Sequence, residues 1–306
     1  MARPASPRVI AMSAVAALVV VGTVSFLAAR ASGPEEAAPL VRPNPTTDAF
    51  EGLGVWVDIY DTEAWNDPVG AVETMAANGV RTLYLQSSNA DRIGPFVYRD
   101  ETAAFIEAAH DRDVKVVAWY LPHLTDLPVD RARTRAAISF TTPRGDRFDG
   151  FALDIESAAV RDPARRTQRL VDLSRRLRAV AGDRYPLGAI VPSPVRLVDD
   201  LAYWPGFPWG EIARTYDAVL PMTYYTFRVH GPAETHGYVT QAVEEIRAGV
   251  GSDDVPIHVI GGLARDATGP ETIAFARAVL ETGVIGASYY TLPFVNEEQW
   301  RILRRV

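Results

Sequence analysis

The sequence predicts an α/β fold: a single (β/α)8 TIM barrel preceded by an N-terminal hydrophobic helix and a proline-rich tether. Three observations lead there. Eight short apolar, β-branched or aromatic runs alternate with helical patterns between Leu53 and Val306. Several of these runs are almost continuously apolar, as parallel strands buried on both faces are. The first βα turn lacks GxGxxG, so closure of eight repeated units fits better than the alternative, an open doubly wound sheet.

In chain order, Arg3 and Arg8 precede the uncharged Val9–Ala29 stretch, and Ala29-Arg30-Ala31 offers a small-x-small cleavage site. Residues 1–31 therefore read as a signal peptide or an uncleaved signal anchor, with the rest of the chain outside the cytoplasm. Residues 32–47 carry Pro34, Pro39, Pro43 and Pro45 without apolar periodicity and read as an extended linker. Residues 48–306 form the barrel. Its expected strands are Leu53–Tyr60, Thr82–Ser87, Lys115–Leu121, Phe148–Glu156, Leu187–Pro192, Ala218–Tyr225, Pro256–Gly261 and Ile285–Thr291. Asp67-Pro68 and Asp162-Pro163 are helix starts, and Gly79, Gly182 and Gly283 are stops. Leu170, Leu173, Leu177 and Val180 make one apolar helical stripe, and Glu297–Arg304 is the last of eight helices.

The chain of 306 residues has net charge −7, 48% hydrophobic residues and no cysteine. Absence of cysteine excludes disulfides, thiolate metal sites and cysteine nucleophiles. The acidic balance argues against a nucleic-acid partner. Lys115 is the sole lysine and has no glycine-rich loop beside it, and no GxSxG elbow is present. The 5 histidines show no ligand spacing. Neither metal nor cofactor is expected.

The fourth run, Phe148-Asp-Gly-Phe-Ala-Leu-Asp-Ile-Glu156, carries the chemistry. Side chains alternate along a strand, so Gly150, Ala152, Asp154 and Glu156 share one face while Phe151, Leu153 and Ile155 share the other. With the apolar set against the helices, both acids point into the barrel mouth, where such folds place their chemistry. Residues i and i+2 lie about 6.6–6.8 Å apart along a strand, so one ionised carboxyl raises the pKa of the other. A carboxylic acid held protonated near neutrality can donate to a glycosidic oxygen. The competing reading is a polar barrel top in which both acids pair with arginines.

This segment resembles the strand-four signature of glycoside hydrolase family 18, the chitinase-like barrels, whose pattern is DGxDxDxE. Asp149, Gly150, Asp154 and Glu156 match, and Ala152 stands at the family's first inward aspartate. The resemblance implies that Glu156 protonates the glycosidic oxygen and that Asp154 orients the substrate acetamide. Met222-Thr-Tyr-Tyr225 resembles the family's MxYD, with Met222 as packing, Tyr224 as hydroxyl donor and Tyr225 at the aspartate position. Gly286-Ala-Ser-Tyr-Tyr290 resembles the segment supplying a tryptophan beneath the sugar, so that Tyr289 or Tyr290 substitutes for it.

Asp58, Gln86, Trp119, His123 and Ser193 fall near strand ends where a ligand is within reach. Asp58 is a candidate second carboxylate, its alternative being a cap or salt bridge at the strand end. Val195–Trp209 carries Tyr203, Trp204, Phe207 and Trp209, which read as a groove for sugar rings or as a core-capping cluster. Asp61 and Trp65 offer a second wall by the same logic. The expected function is an extracytoplasmic glycoside hydrolase acting on a cell-wall or extracellular polysaccharide. The alternatives are a catalytically silent glycan-binding barrel and a glycosidase of another DxE barrel family. The expected partners are an oligosaccharide or polysaccharide and, if residues 1–31 remain, a membrane.

Overall fold

A computed structural model describes Arg42 and residues 45–306. The expected signal or anchor helix and most of the linker lie outside the described residues. Among the described residues no helix is long and apolar enough to cross a membrane.

The eight strands are β1 (Gly52–Val57), β2 (Thr82–Asn89), β3 (Lys115–Leu121), β4 (Gly150–Asp154), β5 (Leu187–Val191), β6 (Ala218–Pro221), β7 (His258–Leu263) and β8 (Gly286–Tyr290). All pair in parallel, in the order β6-β5-β4-β3-β2-β1-β8-β7. Parallel bridges Val219 to Ile257 and Met222 to Ile260 bring β6 back to β7 and close the ring. Each strand begins or ends within a few residues of its expected run, because strands buried on both faces announce themselves by continuous apolarity.

The helices are α1 (Thr62–Asn66), α2 (Pro68–Ala77), α3 (Arg99–His110), α4 (Leu127–Ile138), α5 (Pro163–Ala181), α6 (Pro194–Asp199), α7 (Trp209–Thr215), α8 (Pro232–Val250), α9 (Gly269–Thr282) and α10 (Glu297–Leu303). Eight were expected; α1 and α6 are additional short turns in the loops after β1 and β5. Asp162 caps α5 by accepting from the amides of Ala164 and Arg165, and Asp67 caps α2 by accepting from Gly70. Each such cap is worth about 1 kcal/mol. Gly182, with φ of 77°, ends α5 in a conformation that a Cβ would oppose. Leu170, Leu173 and Leu177 bury the expected stripe, at about 1.5–3 kcal/mol each. Val180 does not continue it and is 52% exposed.

Two apolar layers result. Between strands and helices lie outward residues such as Leu53, Val55, Leu83, Phe151, Leu153 and Val259. Inside the ring lie Trp56, Tyr84, Val117, Trp119, Ala152, Ile190, Leu220, Met222 and Ile260. A one-turn helix, Asp48–Phe50, plugs the floor at the N-terminal ends of the strands. The Phe50 ring fills the space that a side chain at Gly188 would need, its nearest carbon being 2.9 Å from an ideal Cβ there.

Both ring nitrogens of His258 are hydrogen-bonded in the floor. Its Nδ1 lies 2.8 Å from the Phe50 carbonyl and its Nε2 lies 3.0 Å from Ser288 Oγ. Burial pushes its pKa down to about 4, so the ring is neutral. A carbonyl can only accept, hence Nδ1 carries the proton and Nε2 accepts from the Ser288 hydroxyl, which in turn accepts from Trp56 Nε1 at 2.8 Å. Arg42, expected within the linker, also belongs here. It forms an ion pair of 2.7 Å with the buried Asp217 just before β6, beside a second pair from Arg178 at 2.6 Å. Its amide donates to the Ala213 carbonyl.

Candidate active site

At the opposite end, β4 delivers its acids to the mouth. The Ile155 amide donates to the Ile190 carbonyl at 2.8 Å, which carries the strand alternation one residue past β4 and keeps Glu156 on the same side as Asp154. Asp154 is 6% exposed and its Oδ1 has no hydrogen-bond partner. Burial and then the neighbouring Glu156 charge push its carboxyl well above the ordinary range. Glu156 sits at the rim and is exposed. Protein crowding its carboxyl still raises its pKa, and the charge of Arg196 opposes that rise. Neither acid forms a salt bridge among the described residues; Arg196 reaches Asp200 instead, at 3.9 Å. The reading of a polar barrel top paired with arginines is thereby overturned.

Arg196 lies on α6, and its guanidinium stands 3.9 Å from the centre of the Tyr203 ring. The Tyr203 hydroxyl donates to the main-chain carbonyl of Glu156 at 2.7 Å. Arg196 and Tyr203 thus form a bracket behind Glu156.

Across the mouth, β1 and β8 meet through Asp58. Its Oδ2 accepts from the Tyr290 hydroxyl at 2.6 Å and its Oδ1 from the Tyr60 amide at 2.6 Å. Asp61 accepts from the Asp58 amide at 3.0 Å and from the Thr291 hydroxyl at 3.2 Å. Burial, with the Asp58 charge adding to it, lifts the Asp61 carboxyl to about 6. The peptide joining Tyr290 to Thr291 is cis. Burial, and then the charges of Asp154, Glu156 and Asp58, push the Tyr224 hydroxyl pKa upward. Its backbone is left-handed, with φ of 41°, which is costly for a bulky residue and recurs at sites where a side chain must be aimed.

Below them, Trp119 projects into the ring interior, 5.7 Å from Trp56 and edge-on to it, and its Nε1 has no hydrogen-bond partner. Met222 packs in the same interior cluster. The Gln86 amide oxygen accepts from the Ile59 amide at 3.0 Å, so this residue braces the loop carrying Asp58.

Three expected site residues fall elsewhere. Tyr225 is turned outward because β6 ends at Pro221 and the left-handed Tyr224 rolls the chain into a one-turn helix. Its hydroxyl meets that of Tyr289 at 2.6 Å, and both rings pack on Phe275 between strands and helices. Strand alternation settles β8 in favour of Tyr290: with Ser288 and Tyr290 facing inward, Tyr289 must face out. Trp204 is 1% exposed, with Arg166 4.1 Å from its ring centre and its Nε1 bonded to Thr167. The aromatic loop is therefore mainly a cap on the core, because Phe207 and Trp209 pack edge-to-face beside Trp204. Trp65 is likewise buried and donates to the Asp58 carbonyl at 2.6 Å, so it supports the β1 loop and walls no groove. Ser193 bonds the Tyr238 hydroxyl at 2.8 Å, and His123 faces Asp91 at 3.8 Å.

Arg196 and the inward Ser288–His258 pair went unrecognised in the sequence. Arg196 had a signal, being the basic residue nearest the end of β5, but its approach to Glu156 depends on how Tyr203 folds back. Ser288 follows from alternation once Tyr290 faces inward.

The fold is a closed ring of parallel strands, with carboxyls at the C-terminal ends of β1 and β4. Solved structures agree on the fold. A chitinase from Chromobacterium violaceum ATCC 12472 is similar over 83% of this chain and 98% of its own, with TM-score 0.58 and 13% identity. A GH18 chitinase from Cycas revoluta in complex with (GlcNAc)3 gives TM-score 0.60 at 12% identity over 83% and 98%. An endo-beta-1,4-mannanase from Thermotoga petrophila gives 0.61 at 10% identity over 84% and 76%. The fold is thus one that these chitinase and mannanase barrels share. No family model matches the sequence, and no curated protein does.

Proposed function

We propose that the chain is an extracytoplasmic glycoside hydrolase acting on a cell-wall or extracellular polysaccharide. The observation that carries this reading is the Asp154–Glu156 pair at the C-terminal end of β4, one acid buried with a free oxygen and neither in a salt bridge among the described residues. Glu156, at the accessible rim, is the general acid: its raised pKa keeps a proton available for the leaving glycosidic oxygen. Asp154 beneath it stabilises the charge that develops at the sugar ring, and the Tyr224 hydroxyl supplies a hydrogen bond to the substrate. Asp58, fixed by Tyr290 and the Tyr60 amide, is the carboxylate on the facing wall and serves as base or nucleophile. The solved relatives include a chitinase crystallised with (GlcNAc)3, which supports a glycan as the ligand class. Export rests on residues 1–31.

The test is a glycan screen with the full chain, followed by Glu156→Gln. Turnover is expected to fall by about 10²–10⁴ while binding is retained. Binding without turnover in the unmodified chain favours a second reading, a silent glycan-binding barrel, for which Ala152 and the outward Tyr225 are the specific observations.

A further inference from the structure

The loop from β1 into α1 finds most of its hydrogen bonds close at hand. The Ile59 amide donates to Gln86, the Tyr60 amide to the Asp58 carboxyl and the Thr62 amide to the Tyr60 carbonyl, while the Asp58 carbonyl accepts from both the Asp61 amide and Trp65 Nε1. Asp61 stands immediately before α1, where an aspartate ordinarily accepts from the first free amides of the helix. Its side chain makes no such cap. It is buried and faces the other way: Oδ2 accepts from the Asp58 amide at 3.0 Å, and Oδ1 accepts from the Thr291 hydroxyl at 3.2 Å, just past the end of β8. The first bond is enough to shape the turn. The second, across to the neighbouring strand, is one that the folding of the loop does not call for.

That second bond closes a ring. The Tyr290 hydroxyl donates to the Asp58 carboxyl at 2.6 Å, Tyr290 is joined through the chain to Thr291, the Thr291 hydroxyl donates to Asp61, and Asp61 returns to the Asp58 amide. The ends of β1 and β8 are therefore tied at two points, one between Asp58 and Tyr290 and one between Asp61 and Thr291. A single hydrogen bond between two side chains fixes their distance but lets the pair swing together about their χ angles. A second bond between nearby residues of the same two segments removes that freedom. The ring also survives a change of charge on Asp61. Ionised, the carboxylate accepts twice; protonated, its hydroxyl can donate to Thr291 Oγ1 while the other oxygen still accepts from the Asp58 amide.

We infer that Asp61 is a positioning residue for the reaction: through this ring it holds the Asp58 carboxyl and the Tyr290 hydroxyl in one relative placement at the mouth. This rests on the glycoside hydrolase reading above, in which Asp58 is the base or nucleophile. Asp61 acts only through its two neighbours. Its leverage comes from the sensitivity of rate to geometry, since a displacement of about 1 Å in a reacting group can cost about 10²-fold.

The experiment uses the full chain and its Asp61→Ala, Asp61→Asn and Thr291→Val variants, with two readouts. Amide hydrogen exchange, followed by NMR, reads placement without any substrate. The reporter is the Tyr60 amide, which is bonded to the Asp58 carboxyl and not to Asp61. Asp61→Ala is expected to speed its exchange about tenfold or more while amides of β2 keep their protection, and Asp61→Asn, which can still accept from Asp58 and donate to Thr291, to leave it within about twofold. Steady-state rates on N-acetylglucosamine and β-1,4-mannose oligomers are the second readout. In Asp61→Ala, kcat is expected to fall about 10- to 10²-fold with KM within about twofold, and Asp61→Asn to restore most of it. Unchanged exchange at Tyr60 in Asp61→Ala overturns the proposal. An Asn variant as impaired in kcat as the Ala variant also overturns it, because the charge of Asp61 and not its hold on Asp58 would then be what matters. Should Asp61→Ala fail to fold, Thr291→Val, which removes only the bond across to β8, carries the same two expectations. If the unmodified chain turns over neither set of oligomers, the hydrolase reading fails for those glycans, and exchange at Tyr60 still decides whether Asp61 places Asp58.

Discussion

The two ends of the barrel are built from the same strands and treat polar groups in opposite ways. At the floor, every link from the Phe50 carbonyl through His258 and Ser288 to Trp56 has a donor and an acceptor. Toward the mouth, Asp154 and Trp119 keep buried polar atoms without partners. A buried polar atom without a partner costs about 1–3 kcal/mol, a cost that Asp154 and Trp119 bear and that the His258–Ser288–Trp56 chain does not. The unmet hydrogen bonds of Asp154 and Trp119 are ones that a bound molecule can complete.

The contrast can be broken most forcefully at Asp154. Replacing it with Asn removes a carboxyl that burial and Glu156 both oppose, so Asp154→Asn is expected to raise the melting temperature near neutral pH while lowering turnover about 10²-fold or more. Calorimetry and steady-state rates on one preparation would read both, and a fall in stability would mean that the acid is structural. Ser288→Ala should do the reverse, as it strands Trp56 Nε1 and His258 Nε2. A stability loss of about 1–3 kcal/mol is expected in denaturant unfolding, with KM little changed.

The smallest effect concerns the bracket behind Glu156. The positive charge of Arg196 holds the Glu156 carboxyl lower than burial alone would. Arg196→Met removes that charge, the carboxyl pKa rises, and the acid stays protonated to higher pH. The alkaline limb of the kcat/KM profile is thus expected to move to higher pH, by less than about 1 unit given that the Arg196 side chain is partly open to solvent. A shift in the acidic direction would exclude Arg196 as a modulator of the pair.

Most of the barrel was legible because each strand is marked twice, by apolar continuity and by flanking caps such as Asp162 and Gly182. The β4 pair was legible for the same reason: alternation fixes which side a residue faces as long as the strand continues. Where the strand stopped, that logic failed. Tyr225 lies one residue past a left-handed turn that no periodicity signals, and it left the site. Trp204 illustrates a second limit, because an aromatic loop has the same composition whether its rings meet a ligand or, as here, an arginine and the core. Arg196 shows a third: its role depends on the return of Tyr203 across the rim, a contact between different loops that local spacing does not encode.

The clamp between Arg42 and Asp217 has a mechanical consequence. It holds residue 42 on the floor side of the barrel, behind the mouth. Any load on the chain at that point falls first on an aspartate bridged by two arginines. The loops bearing Asp58 and Glu156 lie at the far end of the barrel from this anchor point.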